Sequence, residues 1–471
     1  MDRLLTSSAT DLAARICRRE LTSIEVVDAH IRRIEAVNAR LNAVVYTRFD
    51  EARTEARAAD TALSRGDAGL GPLHGVPCSI KECFALTGMP NTSGLVARKG
   101  PLATRDAVAV ARLREAGAIP LGVTNTSELC MWMESNNKVY GRTNNPYDAR
   151  RIVGGSSGGE GAIIGAGGTP FGLGSDIGGS IRMPAFFNGV FGHKPTGGLI
   201  DNTGQFPLPA EAALTYVTTG PLARRAEDLA PLLKIMAGAE AAARIGDPAA
   251  VDLADLDVVV VEGDGRIRVS DDLTRVQRAA ADALAARGAR VRTAKVKGFA
   301  RGLEIWSSML DAAGGPSYAS LLGNGPEVPG GRELVRWALG RSPYTLPSIF
   351  LVLLEKLPKL LPSHVRRFVE AGAELRREVE TLLGPRGVML YPPYPTSAPR
   401  HNRPLWPPFN WVYTAVFNVL ELPVTAAPLG LDSAGIPLGV QIAATHGNDH
   451  LTIAAALELE RAFGGWVPPP T

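Results

Sequence analysis

The sequence predicts an α/β protein, one large domain in which a mixed, mostly parallel, twisted central β-sheet carries helices on both faces. Three observations predict it. A helical pattern over residues 107–116 runs directly into a strand pattern over 118–123. A strand at 257–262, a helix at 271–287 and a strand at 289–296 then form a β-α-β unit, and alternation of this kind builds parallel sheets. Finally, 471 residues that are 45% hydrophobic and 21% charged can bury a sizeable core, and no internal repeat divides them.

In chain order, residues 1–65 read as helical. Thr22-Ser23-Ile24-Glu25 is a capping box, followed by Val26, Val27, Ile31, Ile34 and Val37 at helical spacing. The charged, alanine-rich stretch 50–65 reads as a surface helix, and Gly71-Pro72 breaks the pattern. Residues 74–82 read as a short buried strand that ends in Lys81. A lysine there either reaches solvent or, desolvated by its apolar flank, disfavours its ammonium form. Residues 124–145 form a polar loop with a soft insert, Cys130-Met131-Trp132-Met133, which suits either core or substrate pocket.

Residues 224–237 form an amphipathic helix, and 300–384 are mostly helical with Gly/Pro breaks. The most apolar segment, 346–361, is too short and interrupted to span a bilayer; it reads as a buried helix or as an interfacial helix giving peripheral membrane contact. A strand at 387–391 precedes the aromatics Trp406, Phe409, Trp411, Tyr413 and Phe417. A strand at 439–444 and a helix at 450–463 close the chain. N-terminal helices (about 1–65), a catalytic core (about 70–240) and C-terminal helices with the remaining sheet (about 250–465) thus compose one domain.

Fifty basic and 47 acidic residues leave a net charge of +3, without a basic run, which argues against nucleic acid as a partner. The N-terminus turns polar too soon for a secretory segment. Four cysteines, Cys17, Cys78, Cys83 and Cys130, suit a reducing cytoplasm and imply no disulfide. His446 and His450 lack the HExxH pattern of a zinc site. A cytoplasmic monomer or homodimer is expected.

The chemistry concentrates in residues 150–184. Glycine this dense costs backbone entropy, so it needs a return. No phosphate-binding G-x-x-x-x-G-K-[ST] is present, and no G-x-G-x-x-G follows a strand and opens a helix. The glycines enclose hydroxyls instead: Ser156, Ser157, Ser175 and Ser180. Ile177, Gly178 and Gly179 precede Ser180, and their N–H groups could converge beside its oxygen. That is the layout of an oxyanion hole next to a nucleophile. Ala162-Ile163-Ile164, Phe171 and Leu173 are too apolar for a flexible tether.

With Lys81, Ser156 and Ser180 in view, the chain resembles the amidase signature family of serine hydrolases, nearest its fatty-acid amide hydrolase branch. The resemblance is carried by Gly75-Val-Pro-Cys-Ser-Ile-Lys81, by residues 124–132 and 140–147, by Gly154-Gly-Ser-Ser-Gly-Gly-Glu-Gly161, by residues 174–184 and by Phe191-Gly-His-Lys-Pro-Thr196. Fainter similarity runs through 418–423 and 437–441. The resemblance implies a Ser–Ser–Lys group with Ser180 as nucleophile, Ser156 as bridge and Lys81 as base. It implies a cis peptide at Gly155–Ser156 and an oxyanion hole of the N–H groups of Ile177, Gly178, Gly179 and Ser180. Asp176, Arg182 and Ser157 would support this loop, and Cys130, Met131 and Met133 would line the acyl pocket.

No metal and no organic cofactor is implied. The implied substrate is a small-molecule amide with a hydrophobic acyl or aryl side, with esters and carbamates as further substrates. A second expectation is the amidase subunit of a tRNA-dependent amidotransferase, against which stand Glu160-Gly161 and the apolar segments. The chain departs from the pattern at Glu82, where aspartate is usual, and at Ser175, where threonine is common, and it is expected to lack the N-terminal anchor of the animal enzymes.

Overall fold

A computed structural model describes residues 3–355, 362–406 and 408–470. The capping box forms as the sequence predicts: Thr22 Oγ1 accepts from the Glu25 N–H, and the Glu25 carboxylate accepts from the Thr22 N–H. It starts α2 (Ser23–Leu41), after α1 (Ala9–Cys17). A short edge strand, β1 (Val44–Thr47), then separates α2 from α3 (Phe49–Arg65) within the stretch expected to be wholly helical. Next come β2 (Pro77–Lys81), α4 (Val108–Glu115), β3 (Ile119–Thr124) and a small hairpin, β4 (Asn136–Asn137) with β5 (Gly141–Arg142). The glycine-rich stretch supplies α5 (Gly158–Gly165), β6 (Phe171–Asp176) and α6 (Arg182–Phe187), followed by β7 (Phe191–Lys194), β8 (Thr218–Ala223) and α7 (Leu229–Ala242).

The expected β-α-β unit is β9 (Asp257–Val260), α8 (Asp271–Ala285) and β10 (Arg290–Thr293). A helical run follows: α9 (Gly302–Ala312), α10 (Tyr318–Leu322), α11 (Gly330–Ala338), α12 (Leu346–Leu354) and α13 (Pro362–Leu383). The chain closes with β11 (Gly387–Tyr391), α14 (Val412–Val419), β12 (Val424–Leu431), β13 (Pro437–Ala444) and α15 (Asp449–Phe463).

Eleven strands form one mixed sheet in the order β1-β3-β2-β6-β8-β7-β12-β13-β11-β9-β10. The α/β class and the mixed sheet agree with expectation, but parallel pairing does not predominate. It is confined to two flanks, β3-β2-β6 and β11-β9-β10. The centre, from β6 to β11, is antiparallel. Parallel neighbours need a crossover, whereas β12 and β13 are joined by a tight turn that Asp432 closes by accepting from the Ala434 and Ile436 N–H groups.

Alternation along the strands builds two faces. In β9 and the residue after it, Val258 and Val260 join one buried cluster while Val259 and Val261 join another. In β2, Ile80 joins the first cluster, so Ser79 and Lys81 point to the opposite face, where the Ser79 hydroxyl meets Glu160 of α5. That face carries its own core, in which Ile163 and Ile164 of α5 pack with Ile34 of α2 and Leu222 of β8. The apolar run 346–361 divides between its two readings. Ser348, Ile349 and Val352 of α12 are buried, whereas Phe350, Leu353 and Leu354 are exposed, and residues 356–361 lie outside the described residues. Among the described residues no helix is long and apolar enough to cross a membrane.

Ile163 is fully buried. Ile163→Ala should therefore lower the unfolding free energy by about 2–5 kcal/mol, read from urea denaturation; a loss below about 1 kcal/mol would show that α5 is not packed as described.

Candidate active site

Lys81 ends β2 and Asp176 ends β6, two neighbouring parallel strands, so the loops beyond them open at one edge of the sheet. Ligands of α/β sheets sit outside the carboxyl ends of such strands. Lys81 is fully buried, and its Nζ donates to Ser156 Oγ at 2.6 Å and to Ser175 Oγ at 2.9 Å. It forms no ion pair among the described residues. The Gly155–Ser156 peptide is cis, as the resemblance implied. A Cβ on Gly155 would lie 2.2 Å from the Trp132 carbonyl oxygen, so the chain passes here only as glycine.

Ser180 is almost buried and lies on the wall of a cavity of about 190 Å³ that Ser156 and Ser175 also line. Among the described residues, the Lys81–Ser156 bond is the one formed within the expected triad; Ser180 Oγ is bonded to neither partner. Ser157 holds the arrangement from behind. Its N–H donates to the Ser180 carbonyl at 3.1 Å, and its hydroxyl to the Ser175 carbonyl at 3.3 Å. Ser135, which the sequence did not single out, donates to the Ser156 carbonyl at 3.0 Å.

The loop that presents Ser180 is wound around one carboxylate. Asp176 accepts from the N–H groups of Gly179 (2.7 Å) and Ile181 (3.0 Å), from Arg182 Nε (3.0 Å) and Nη2 (2.9 Å), and from Asn418 Nδ2 (2.9 Å). Burial alone would raise its pKa, but the Arg182 guanidinium and these donors hold it well below the usual carboxylate range. Arg182, itself fully buried, also donates to the Thr414 carbonyl, Gln441 Oε1 and Asn418 Oδ1. One expectation changes here. The Gly179 N–H is spent on Asp176, so of the four groups expected in the oxyanion hole those of Ile177, Gly178 and Ser180 are not engaged in this way. The carbonyls of this turn are tied outward instead, Ile177 by Trp306 Nε1 (2.8 Å) and Gly178 by Thr414 Oγ1 (2.8 Å).

Two apolar chambers meet at Ser180. The first runs between Leu129, Pro207, Leu208, Leu310 and Leu321. The second, of about 100 Å³, is walled by Trp132, Met183, Trp306, Leu351 and Trp411. Cys130 and Met131 face both chambers and Met133 the second alone, so the soft insert is pocket wall. Trp306, Trp411 and Leu351 were visible in the sequence as apolar residues, but nothing local joined them to residue 180.

The amidase family profile matches residues 25–453. The chain is 48% identical to human fatty-acid amide hydrolase 2, covering 99% of this chain and 91% of that protein. It is 32% identical to the acylamidase of Rhodococcus erythropolis, covering 96% and 94%. The chain belongs to the amidase family. Among solved structures, 6-aminohexanoate cyclic dimer hydrolase complexed with substrate superposes with a TM-score of 0.80 at 27% identity, covering 99% of each chain.

Two buried carboxyls of this amidase flank Lys81. Glu82, the departure from aspartate, accepts from the Thr92 and Ser93 N–H groups (2.7 Å each), the Thr92 hydroxyl (2.6 Å) and the Tyr140 hydroxyl (2.7 Å). Glu160 accepts from the Ser79 hydroxyl (2.5 Å) and the Thr124 hydroxyl (2.8 Å), and burial pushes it up to about 8. Ser175, the other departure, is a second hydroxyl on Lys81.

Gly179 has φ +113°, and a Cβ there would lie 2.0 Å from Thr414 Oγ1. Gly179→Ala should cut the rate of fluorophosphonate labelling of Ser180 more than about tenfold while the far-ultraviolet spectrum stays native; undiminished labelling would contradict the tight turn. Asp176→Asn leaves Arg182 without its counter-charge and should lower stability by about 3–5 kcal/mol. Because the Asp176 pKa is depressed, its increment of stability is present above the ordinary range near about 4 and is lost only as pH falls below it. The variant should accordingly show a smaller acid-dependent fall in urea midpoint than the parent.

Proposed function

We propose that this amidase hydrolyses carboxylic amides carrying a hydrophobic acyl or aryl group, through a covalent acyl intermediate on Ser180. The observation that carries the reading is the 2.6 Å bond from Lys81 to Ser156 in the cavity wall that also holds Ser180. A serine hydroxyl attacks only when its proton is taken, and the Lys81 amine, bonded to the Ser156 and Ser175 hydroxyls, is the group placed to receive it. Ser180 Oγ attacks the carbonyl carbon as its proton passes to Ser156 and the Ser156 proton passes to Lys81. The N–H groups of Ile177, Gly178 and Ser180 receive the oxyanion. The relay then returns the proton to the leaving nitrogen, the C–N bond breaks, and water releases the acid from Ser180.

The substrate class follows from the walls. Among the described residues neither chamber at Ser180 has a charged side chain in its lining, which suits apolar groups on either side of the carbonyl. The same absence disfavours free glutamine, which carries two charges, and so the amidotransferase-subunit reading. The activities that name the fatty-acid amide hydrolase and acylamidase relatives support the same class. Esters and carbamates present the same carbonyl to Ser180 and are further substrates.

Ser180→Ala should abolish both amide turnover and fluorophosphonate labelling; persistence of either would sink the assignment. Lys81→Ala should reduce kcat/KM for an amide at least about tenfold more than for a matched activated ester, whose leaving group needs less proton help. Equal losses would count against the relay.

A further inference from the structure

Beyond the second chamber lies a larger cavity of about 380 Å³. Trp132 borders both spaces, and the same two segments line them in succession. Met133 and Leu351 face the chamber, while Glu134, Leu346 and Pro347 face the outer cavity. Pro347 and Leu351 are one turn apart on α12, about 6 Å along its axis, so the two spaces adjoin.

Its chemistry is different. The outer cavity carries Lys138 and Arg142 together with Glu134, Asn136 and Asn402. Glu134 is already engaged, accepting from the Asn402 N–H at 2.9 Å and facing His401 Nδ1 at 3.3 Å. Lys138 is exposed, and neither it nor Arg142 forms an ion pair among the described residues. Arg142 gives one N–H to Asn402 Oδ1 at 3.2 Å, and its buried Nε has no hydrogen-bond partner. The carboxylate that also acts on Lys138, Glu128, is buried and accepts from the Thr345 N–H and hydroxyl instead.

Amide hydrolysis changes the charge of what the chamber holds. A neutral carbonyl compound enters, and a carboxylate forms in apolar surroundings that solvate it poorly. Two cations in the adjoining space that form no ion pair among the described residues offer that anion charge-assisted hydrogen bonds. We propose that Lys138 and Arg142 form a carboxylate-binding site at the outer end of the second chamber. It takes an aliphatic carboxylate, either the acid product on its way out or the charged end of a substrate that reaches past Trp132. The inference rests on the proposed amide hydrolysis for its product arm, not for the site itself.

The test is made on the full chain with Lys138→Gln, Arg142→Gln and the double variant. Turnover of a neutral amide is inhibited with the matched aliphatic carboxylate and, as control, with the alcohol of the same chain length. In the double variant the carboxylate inhibition constant should rise about tenfold, the alcohol's should not move, and kcat/KM for the neutral amide should stay within about twofold. A parallel arm uses the same amide bearing a terminal carboxylate. A rise in its KM assigns the site to substrate as well as product, and an unchanged KM beside the raised inhibition constant assigns it to product alone. An unchanged carboxylate constant together with an unchanged KM, or equal changes for carboxylate and alcohol, would overturn the proposal. If no amide is turned over, that failure falls on the activity. Calorimetric binding of the carboxylate to the same proteins then decides the site, with a loss in the double variant supporting it and equal binding refuting it.

Discussion

The ion pair between Asp176 and Arg182 is the interaction on which the rest depends. Both side chains are wholly removed from solvent, where an ion pair stabilises only if its remaining donors and acceptors are also met. They are. Arg182 reaches the Thr414 carbonyl, Asn418 and Gln441, and Asp176 draws in the N–H groups of Gly179 and Ile181. The carboxylate therefore sets the turn that carries Ser180, and its partner Arg182 fastens that turn to α14 and β13, more than 230 residues along the chain. The nucleophile's position is thus a property of the whole sheet, not of the glycine-rich run alone.

That dependence explains which parts of the site were legible in the sequence. Ser156, Ser157, Ser175 and Ser180 fall within one short glycine-rich stretch, and a local reading could see hydroxyls gathered by tight backbone. Lys81 was legible as a strand-end lysine with an apolar flank. The bond from Lys81 to Ser175 was not, because it depends on the pairing of β2 with β6. The loss of the Gly179 N–H to Asp176 was likewise invisible, since spacing suggests that four donors converge but cannot say which of them the loop uses to hold itself. The faint similarity at 418–423 and 437–441 turned out to mark Asn418 and Gln441, the distant partners of Arg182.

The fold shows the same division. Alternating helix and strand patterns named the α/β class and placed β3, β9, α8, β10 and β11 within a few residues. The antiparallel centre escaped because β12, Val-Thr-Ala-Ala-Pro-Leu-Gly-Leu, is poor in the branched and aromatic residues that mark strands. It is held by its neighbours β7 and β13 rather than by its own propensity. β1 escaped because four residues between two long helices leave no room for a visible period.

The last constraint concerns the charge around Lys81. Two carboxyls flank it, and a carboxylate bonded to that amine would compete with Ser156 and Ser175 for it. The structure turns both away. Glu82 is absorbed by the Thr92–Ser93 turn and Tyr140, and Glu160 by the hydroxyls of Ser79 and Thr124. Burial further pushes Glu160 up to about 8, so that near neutral pH it is largely an uncharged acid. Ser79 and Lys81 lie on the same face of β2, and Thr124 pairs with Lys81 across the ladder, so Glu160 shares the face of the amine without bonding it. Ser79 of β2 and Thr124 of β3 thus occupy the acid that shares a face with Lys81, which gives both hydroxyls a physical reason to accompany that lysine.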